Sequence, residues 1–220
     1  MNSFFKIKNN KFFFYSNKKQ IFVEKDKPLY VYKQFHANNI LDEINLKKKD
    51  QYSLINLTYF SCALDSNDKK KIIEILIEVL KNDFVLFRYF DDKNLLDLMS
   101  NKLDFYVNEF SIKFNIKLNL INSLKFNYQN SDTQNFKTFL FDLNIFLLSC
   151  IYKLTCLTKS VILSYFFIIK KINYKQLFEL TSIESKFQQK NWGYVDEQKK
   201  IDLDNINILK NISFFFKNIN

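Results

Sequence analysis

The chain has 220 residues, a formal net charge of +10 and 47% hydrophobic residues, with 26 Phe and 12 Tyr against one Gly, one Pro and one His. That apolar content can build a sizeable core and excludes wholesale disorder. The single glycine, Gly193, excludes the phosphate-cradling loop, the dinucleotide fingerprint and the nucleophile elbow, each of which needs several glycines at fixed spacing.

Further exclusions follow from other residue types. His36 is the only histidine, which leaves no His-based metal site and little room for a histidine-dependent triad. Cys62, Cys150 and Cys156 are odd in number and have no CxxC spacing, so buried free thiols in a reducing compartment are expected rather than a disulfide framework. The charge-free apolar runs Leu143–Tyr152 and Ser160–Ile169 are about ten residues long, short of a membrane span. No signal-peptide core or arginine-rich presequence is evident, which favours a bacterial cytoplasm, with the mitochondrial matrix as the alternative. Lys, Asn, Ile and Phe predominate over Gly, Pro and the lone Arg88. Such usage matches AT-rich coding, so the basic excess reflects coding bias as much as a polyanionic partner.

The first 34 residues read as strands: Lys11–Tyr15, Gln20–Glu24 and Leu29–Lys33, separated by turn residues around Asn17 and Pro28. His36–Asn45 shifts to a helical period, with His36 an ordinary surface or helix-start residue, and Leu54–Leu64 is apolar and expected to be buried. Asp65-Ser-Asn-Asp68 is a cap cluster opening the helix Lys69–Lys81, whose Ile72, Ile73, Leu76 and Leu80 point inward. The apolar run Asp83–Tyr89 follows, then helices Lys93–Asn101 and Leu103–Phe114 and an extended Ile116–Leu120.

Beyond residue 130 the chain reads as helical. One helix is capped by Ser131-Asp-Thr133 and runs to Leu154. A second, Thr155–Lys171, is apolar nearly all round and therefore central. The third is Tyr174–Trp192, and a last one starts at Asp202-Leu-Asp204 and ends near Phe216. The fold class is α+β: a small N-terminal antiparallel sheet with a covering helix (1–68), then a larger all-helical C-terminal domain (69–220).

Few residues suggest chemistry. Asp91-Asp92 and Asp202-x-Asp204 suit helix caps better than a cation site. Glu43, Glu109 and Glu184 show no spacing that pairs them as acid and base. No catalytic residue, metal ligand or cofactor is assigned, and an enzyme is not expected. Asp83 and Arg88 bracket the apolar run as an ion pair or anchor, with a binding-surface role as the alternative for Arg88. Leu177, Leu180, Ile183 and Phe187 form one helical stripe, and Glu184 falls within its angular span. A carboxylate so placed is paired on burial or held for a partner. Trp192 reads as a packing residue, and Gly193 as the helix stop.

These residues resemble a known family. Leu180, Ile183, Glu184, Phe187, Gln188, Trp192 and Gly193 match its signature Leu-Ser-Arg-Leu-Glu-Glu-Glu-aromatic-Gln-Ile-x-x-Trp-Gly. Leu157-Thr-Lys-Ser160-Val-Ile-Leu163 is similar to its Leu-Thr-Gly-Ser-Leu-Val-Leu helix start. Asp83-Phe-Val-Leu-Phe-Arg88 resembles its Thr-Asp-Leu-Leu-Cys-Tyr-Arg run. The family is the "ATP-twelve" assembly chaperones, which act on the α subunit of the F-type ATP synthase catalytic sector. Departures are visible: Ser185 and Lys186 replace two of three family acids, Lys159 replaces a glycine, and Ile44 replaces a Trp after Glu43.

The resemblance implies a non-enzymatic holder of the free α subunit; a monomer is expected, with no nucleic acid and no stable membrane insertion. It implies partner-binding roles for Glu184, Phe187, Gln188 and Arg88, and structural roles for Asp83, Ser160, Trp192 and Gly193. The alternative is a basic binding module for nucleic acid or an anionic membrane surface, against which stand scattered lysines and a lone arginine.

Overall fold

The computed structural model describes residues 3–46, 50–123 and 132–220. The chain begins with strands β1 (Ser3–Lys8) and β2 (Lys11–Ser16), an antiparallel hairpin in which Phe5 opposes Phe14. β1 precedes the first strand expected from sequence. Asn9 and Asn10 join the two strands at φ 51° and 57°. Positive φ at both central positions is what a tight, twist-matched hairpin turn requires, and Asn tolerates it well. Asn17 and Lys18, at φ 49° and 65°, repeat the device between β2 and β3 (Lys19–Gln20). β4 (Phe22–Glu24) pairs with β5 (Lys27–Pro28) in a separate two-stranded ribbon. β6 (Tyr30–Val31) pairs with β2.

The helices follow in order: α1 (Gln34–Leu46), α2 (Leu54–Ala63), α3 (Ser66–Lys81), α4 (Lys93–Phe114), α5 (Gln134–Asp142), α6 (Ile145–Thr158), α7 (Val161–Ile168), α8 (Tyr174–Thr181), α9 (Ile183–Trp192) and α10 (Asp196–Ile219). The α+β class is as the sequence implies. Five local expectations change. Lys93–Phe114 is one helix, because nothing at Asn101-Lys102 stops it and the buried stripe Leu95, Met99, Leu103, Val107, Phe110 and Phe114 runs through. The expected helix ending at Leu154 is two, parted where Asn144 Oδ1 accepts from Leu147 N at 3.0 Å; Ser131 of its cap cluster lies outside the described residues. Thr155–Lys171 is divided at Lys159, which sits at φ 58°, so the Ser160 cap opens a new helix. Ile116–Leu120 forms no strand; a single parallel bridge joins Phe87 and Ile121. The last helix starts at Asp196, not Asp202, with Asp196 and Glu197 placing negative charge on its positive end.

The residues pack as two compact units. The first comprises Met1–Lys70, Leu143–Cys150 and Lys210–Asn220, and the second Lys71–Asp142 and Ile151–Leu209. In the first, Phe14, Leu29 and Val31 share a core with Ala37 and Ile40 of α1, Leu54 and Leu57 of α2, and Phe146 and Phe215. His36, expected at the surface or at a helix start, lies in the first turn of α1 and is buried: α1 turns His36, Ala37, Ile40 and Glu43 to one side. Its Nε2 lies 2.9 Å from Thr58 Oγ1, whose own proton goes to Leu54 O at 2.7 Å. The Thr58 oxygen is therefore the acceptor, and His36 carries its proton on Nε2. Phe146 and Phe215 meet the imidazole edge-to-face, with centroids at 6.3 and 6.0 Å. Burial lowers its pKa to about 3, so the ring is neutral.

The second unit is centred on α7, in which every residue from Val161 to Phe167 is buried. Phe110, Phe114, Phe136 and Phe139 form a cluster that packs against its Tyr165, with Phe110–Phe114 and Phe110–Phe136 centroids at 4.8 and 4.9 Å. Each fully buried Phe contributes about 2–3 kcal/mol through apolar burial, and the edge-to-face geometry adds to it.

Candidate functional site

The motif residues of the second unit fall into an anchor and a surface. The anchor is the turn after α3. Asp83 is fully buried, and its carboxylate accepts from Val85 N at 3.1 Å and from Ile162 N at 3.0 Å. Val161 N and the Ser160 hydroxyl also donate to it. Ser160 Oγ in turn accepts from Leu163 N at 3.0 Å. One acid thus caps both a 3-10 turn, Phe84–Leu86, and the positive end of α7. Desolvation outweighs the four donors, which favour the charged form, and leaves its pKa raised to about 6. Lys159 closes the same junction, its carbonyl accepting from Phe84 N at 3.1 Å.

Arg88 belongs to this anchor. Its side chain is 5% exposed, and it pairs with Asp104 of α4 at 2.5 Å, not with Asp83. Nη1 also donates to Val85 O at 2.7 Å and Phe87 O at 2.8 Å. These internal bonds hold the guanidinium away from solvent, which corrects its expected place on a binding surface.

The surface is built by α8 and α9. They were expected as one helix but are separated at Ser182, whose hydroxyl donates to Phe178 O at 2.6 Å and whose backbone leaves the helical path. Asn173 opens α8 with a reciprocal capping box to Gln176. Across the break the stripe survives: Leu177, Leu180 and Ile183 are buried and Phe187 is half-buried. Glu184 is half-exposed and accepts from the amide of Gln188 at 3.2 Å, one turn on. The acid is therefore not buried but displayed beside a polar neighbour.

Trp192, expected in a packed position, ends α9 at 80% exposure. Gly193 then turns the chain at φ 91°, a value that glycine adopts without strain. The turn is fixed from α10: the Asp202 carboxylate accepts from Tyr194 OH at 2.7 Å, Gln198 Nε2 at 2.8 Å and Gln189 Nε2 at 3.3 Å. Asp202 is a buried hub and not the helix cap its spacing suggested.

Between α4 and α8–α9 lies an open groove of about 790 Å³. Its apolar lining is Leu98, Phe105, Tyr106, Leu180, Ile183 and Phe187, and its charged rim is Lys102, Lys186, Lys190 and Glu179. Phe187 thus lines the groove, while Glu184 and Gln188 lie on the adjoining face of α9. The α4 wall was missed in the sequence. Its signal was an apolar pair, Leu98 and Phe105, seven apart and outside the helix's buried stripe.

Little here could run a reaction. Burial pushes the Cys62 thiol up to about 12 and raises that of Cys150 as well, the opposite of what a nucleophile needs. Cys156 is exposed, not buried as expected. Among the described residues no group of three or more His, Cys, Asp or Glu is placed to hold a metal. Among the same residues, no helix is long and apolar enough to cross a membrane.

An N-terminal sheet with covering helices and a helical unit centred on a buried apolar helix define an α+β fold shared with solved structures. One is the Atu1473 protein of Agrobacterium tumefaciens, described as a candidate chaperone (TM-score 0.82, 14% identity, 97% of this chain and 83% of that one). More particularly, the fold is that of Atp12 from Paracoccus denitrificans (TM-score 0.84, 14% identity, 100% of this chain and 97% of that one). A point mutant of the same Atp12 aligns at a TM-score of 0.86, also with 14% identity, over 100% of this chain and 96% of that one. No protein-family model and no curated protein sequence matches the chain.

Proposed function

We propose that this chain is an assembly chaperone of the F-type ATP synthase catalytic sector, holding the free α subunit until it meets β. The observation that carries this reading is the Atp12 fold across the whole chain, at a TM-score of 0.86, with the Leu180–Gly193 motif on α8 and α9. An α subunit made alone exposes the apolar surface it later buries against β, and such surface aggregates. A holder needs a rigid, exposed, partly apolar face and no chemistry. The chain acts as a monomer in a bacterial cytoplasm, without nucleotide, metal or nucleic acid.

In this reading Phe187, Glu184 and Gln188 present the contact face, and Asp83, Ser160 and Arg88 hold the scaffold behind it. Trp192 and Gly193 form the end of the presenting helix. Co-expression with candidate α and β subunits tests the proposal. The α subunit should become soluble and co-elute with the chain, whereas rescue of β alone would refute it. Glu184→Gln should weaken α capture without changing the fold. Unaltered capture would remove Glu184 from the contact.

A further inference from the structure

The groove between α4 and α8–α9 has the form of a seat for one more helix. On α4 its lining residues Asn94, Leu98, Asn101, Lys102 and Phe105 recur at three- and four-residue steps. On α9, Ile183, Lys186, Phe187 and Lys190 do the same. Two facing stripes of this kind are how a helical bundle receives a neighbour, yet among the described residues this face of α4 stays open. Phe105 is 62% exposed at the centre of the wall. A lone exposed Phe is ordinary, but one beside Tyr106 on a wall that faces Leu180, Ile183 and Phe187 across a 790 Å³ groove makes an apolar floor that no described residue covers.

The rim says what the cover carries. Three lysines, Lys102, Lys186 and Lys190, face one carboxylate, Glu179. Lys186 is further placed by its ammonium, which lies 5.1 Å from the Phe178 ring centroid. An incoming basic segment would meet like charge on both walls; an acidic one would meet complementary charge.

We propose that the groove receives an amphipathic helical segment of the partner protein, about three to four turns long, with an apolar face flanked by Asp and Glu. This rests on the partner-holding reading above and adds where the client is gripped and what chemistry it presents. The apolar floor supplies most of the affinity, and the lysines select register and speed the encounter.

Two synthetic 14-residue helices sharing one Leu/Ile face, one flanked by Glu and the other by Lys, test this by fluorescence anisotropy on the full chain. The Glu-flanked probe should bind about tenfold or more tightly than the Lys-flanked one at low salt, with the gap narrowing as salt rises. Phe105→Asp should abolish binding of both; because Phe105 lies outside the core, the variant should keep its circular dichroism. Combined Lys186→Glu and Lys190→Glu should invert the preference. Equal binding of the two probes, binding indifferent to Phe105→Asp, or displacement of the probe by a single-stranded oligonucleotide or anionic vesicles would overturn the proposal. So would sedimentation showing a dimer that Phe105→Asp dissolves, since a second copy would then fill the groove. If the chain still solubilises the α subunit while the probes fail, the groove assignment is wrong and the chaperone reading stands.

Discussion

Asp83 and Ile162 are joined by a hydrogen bond of 3.0 Å from the Ile162 amide to the Asp83 carboxylate, linking segments 79 residues apart. The acid is buried, and its pKa is raised from 3.8 to about 6 because desolvation outweighs its four donors. Between these values the folded chain holds the proton more tightly than the unfolded chain. This group's contribution to stability therefore falls as pH rises through that window and is flat above it. Urea denaturation near pH 4 and near pH 7 should show a loss of up to about 3 kcal/mol from this group. The loss should be absent in Asp83→Asn. Identical pH slopes in the two proteins would show that Asp83 does not titrate differently on folding.

His36 works in the opposite direction. Its pKa drops from 6.5 to about 3 on burial, so its contribution is complete above pH 6.5 and is lost as pH falls toward 3. By about pH 5 the wild-type chain should have lost about 2 kcal/mol from this source. His36→Gln keeps a donor for Thr58 but cannot charge, and its stability should be level over the same range. A parallel decline in that variant would place the acid sensitivity elsewhere.

Lys159 and Gly193 make a contrasting pair, at φ 58° and 91°. A lysine held in left-handed backbone is strained, so Lys159→Gly should stabilise the chain by about 1 kcal/mol. Gly193→Ala should cost about 1–3 kcal/mol through backbone strain alone, because an added Cβ would meet nothing within 4 Å. Thermal melts decide both signs, and a destabilised Lys159→Gly would mean that the lysine side chain contributes more than its backbone costs.

Arg88 and Asp104 are unequal partners. Arg88 is buried and also serves two carbonyls, whereas Asp104 keeps 40% of its side chain exposed. Removing the arginine leaves several buried acceptors unmet, so Arg88→Gln should cost about 3 kcal/mol. Asp104→Asn keeps an amide oxygen that can still accept from Arg88 at a half-exposed position, and should cost about 1 kcal/mol. Equal losses in chemical denaturation would mean that the ion pair dominates over the carbonyl bonds.

Much of this architecture was legible in the chain. The antiparallel strands were carried by aromatic runs and turn residues, and the helix after Asp65 by a cap cluster and a clean apolar stripe. Asp83 stood out because an acid bounding an apolar run must be satisfied if buried. Its donors were not legible, since they arrive from residues 160–162 through tertiary packing. Arg88 illustrates the same limit: the nearest acid in sequence, Asp83, is not its partner, and Asp104 sits on a helix whose continuity past Asn101 was not foreseen. The break at Lys159 was invisible in the residue itself, because lysine carries no signal for left-handed backbone; only the glycine and helix start of the resembled family pointed to it. The groove was least visible of all. Leu98 and Phe105 look like any two apolar residues until the helix is placed and the opposite face of α4 proves to be the buried one.

The exposed indole at the end of α9 has a practical consequence. Trp192 is the chain's only tryptophan, so the intrinsic emission at long excitation wavelength comes from one water-bathed ring. Unfolding will scarcely change its surroundings, and melting must be followed through tyrosine signals or circular dichroism. Whatever closes over α9 will dry that ring and shift its emission to the blue. The protein therefore carries a label-free optical reporter that is silent to its own folding and responsive to a partner.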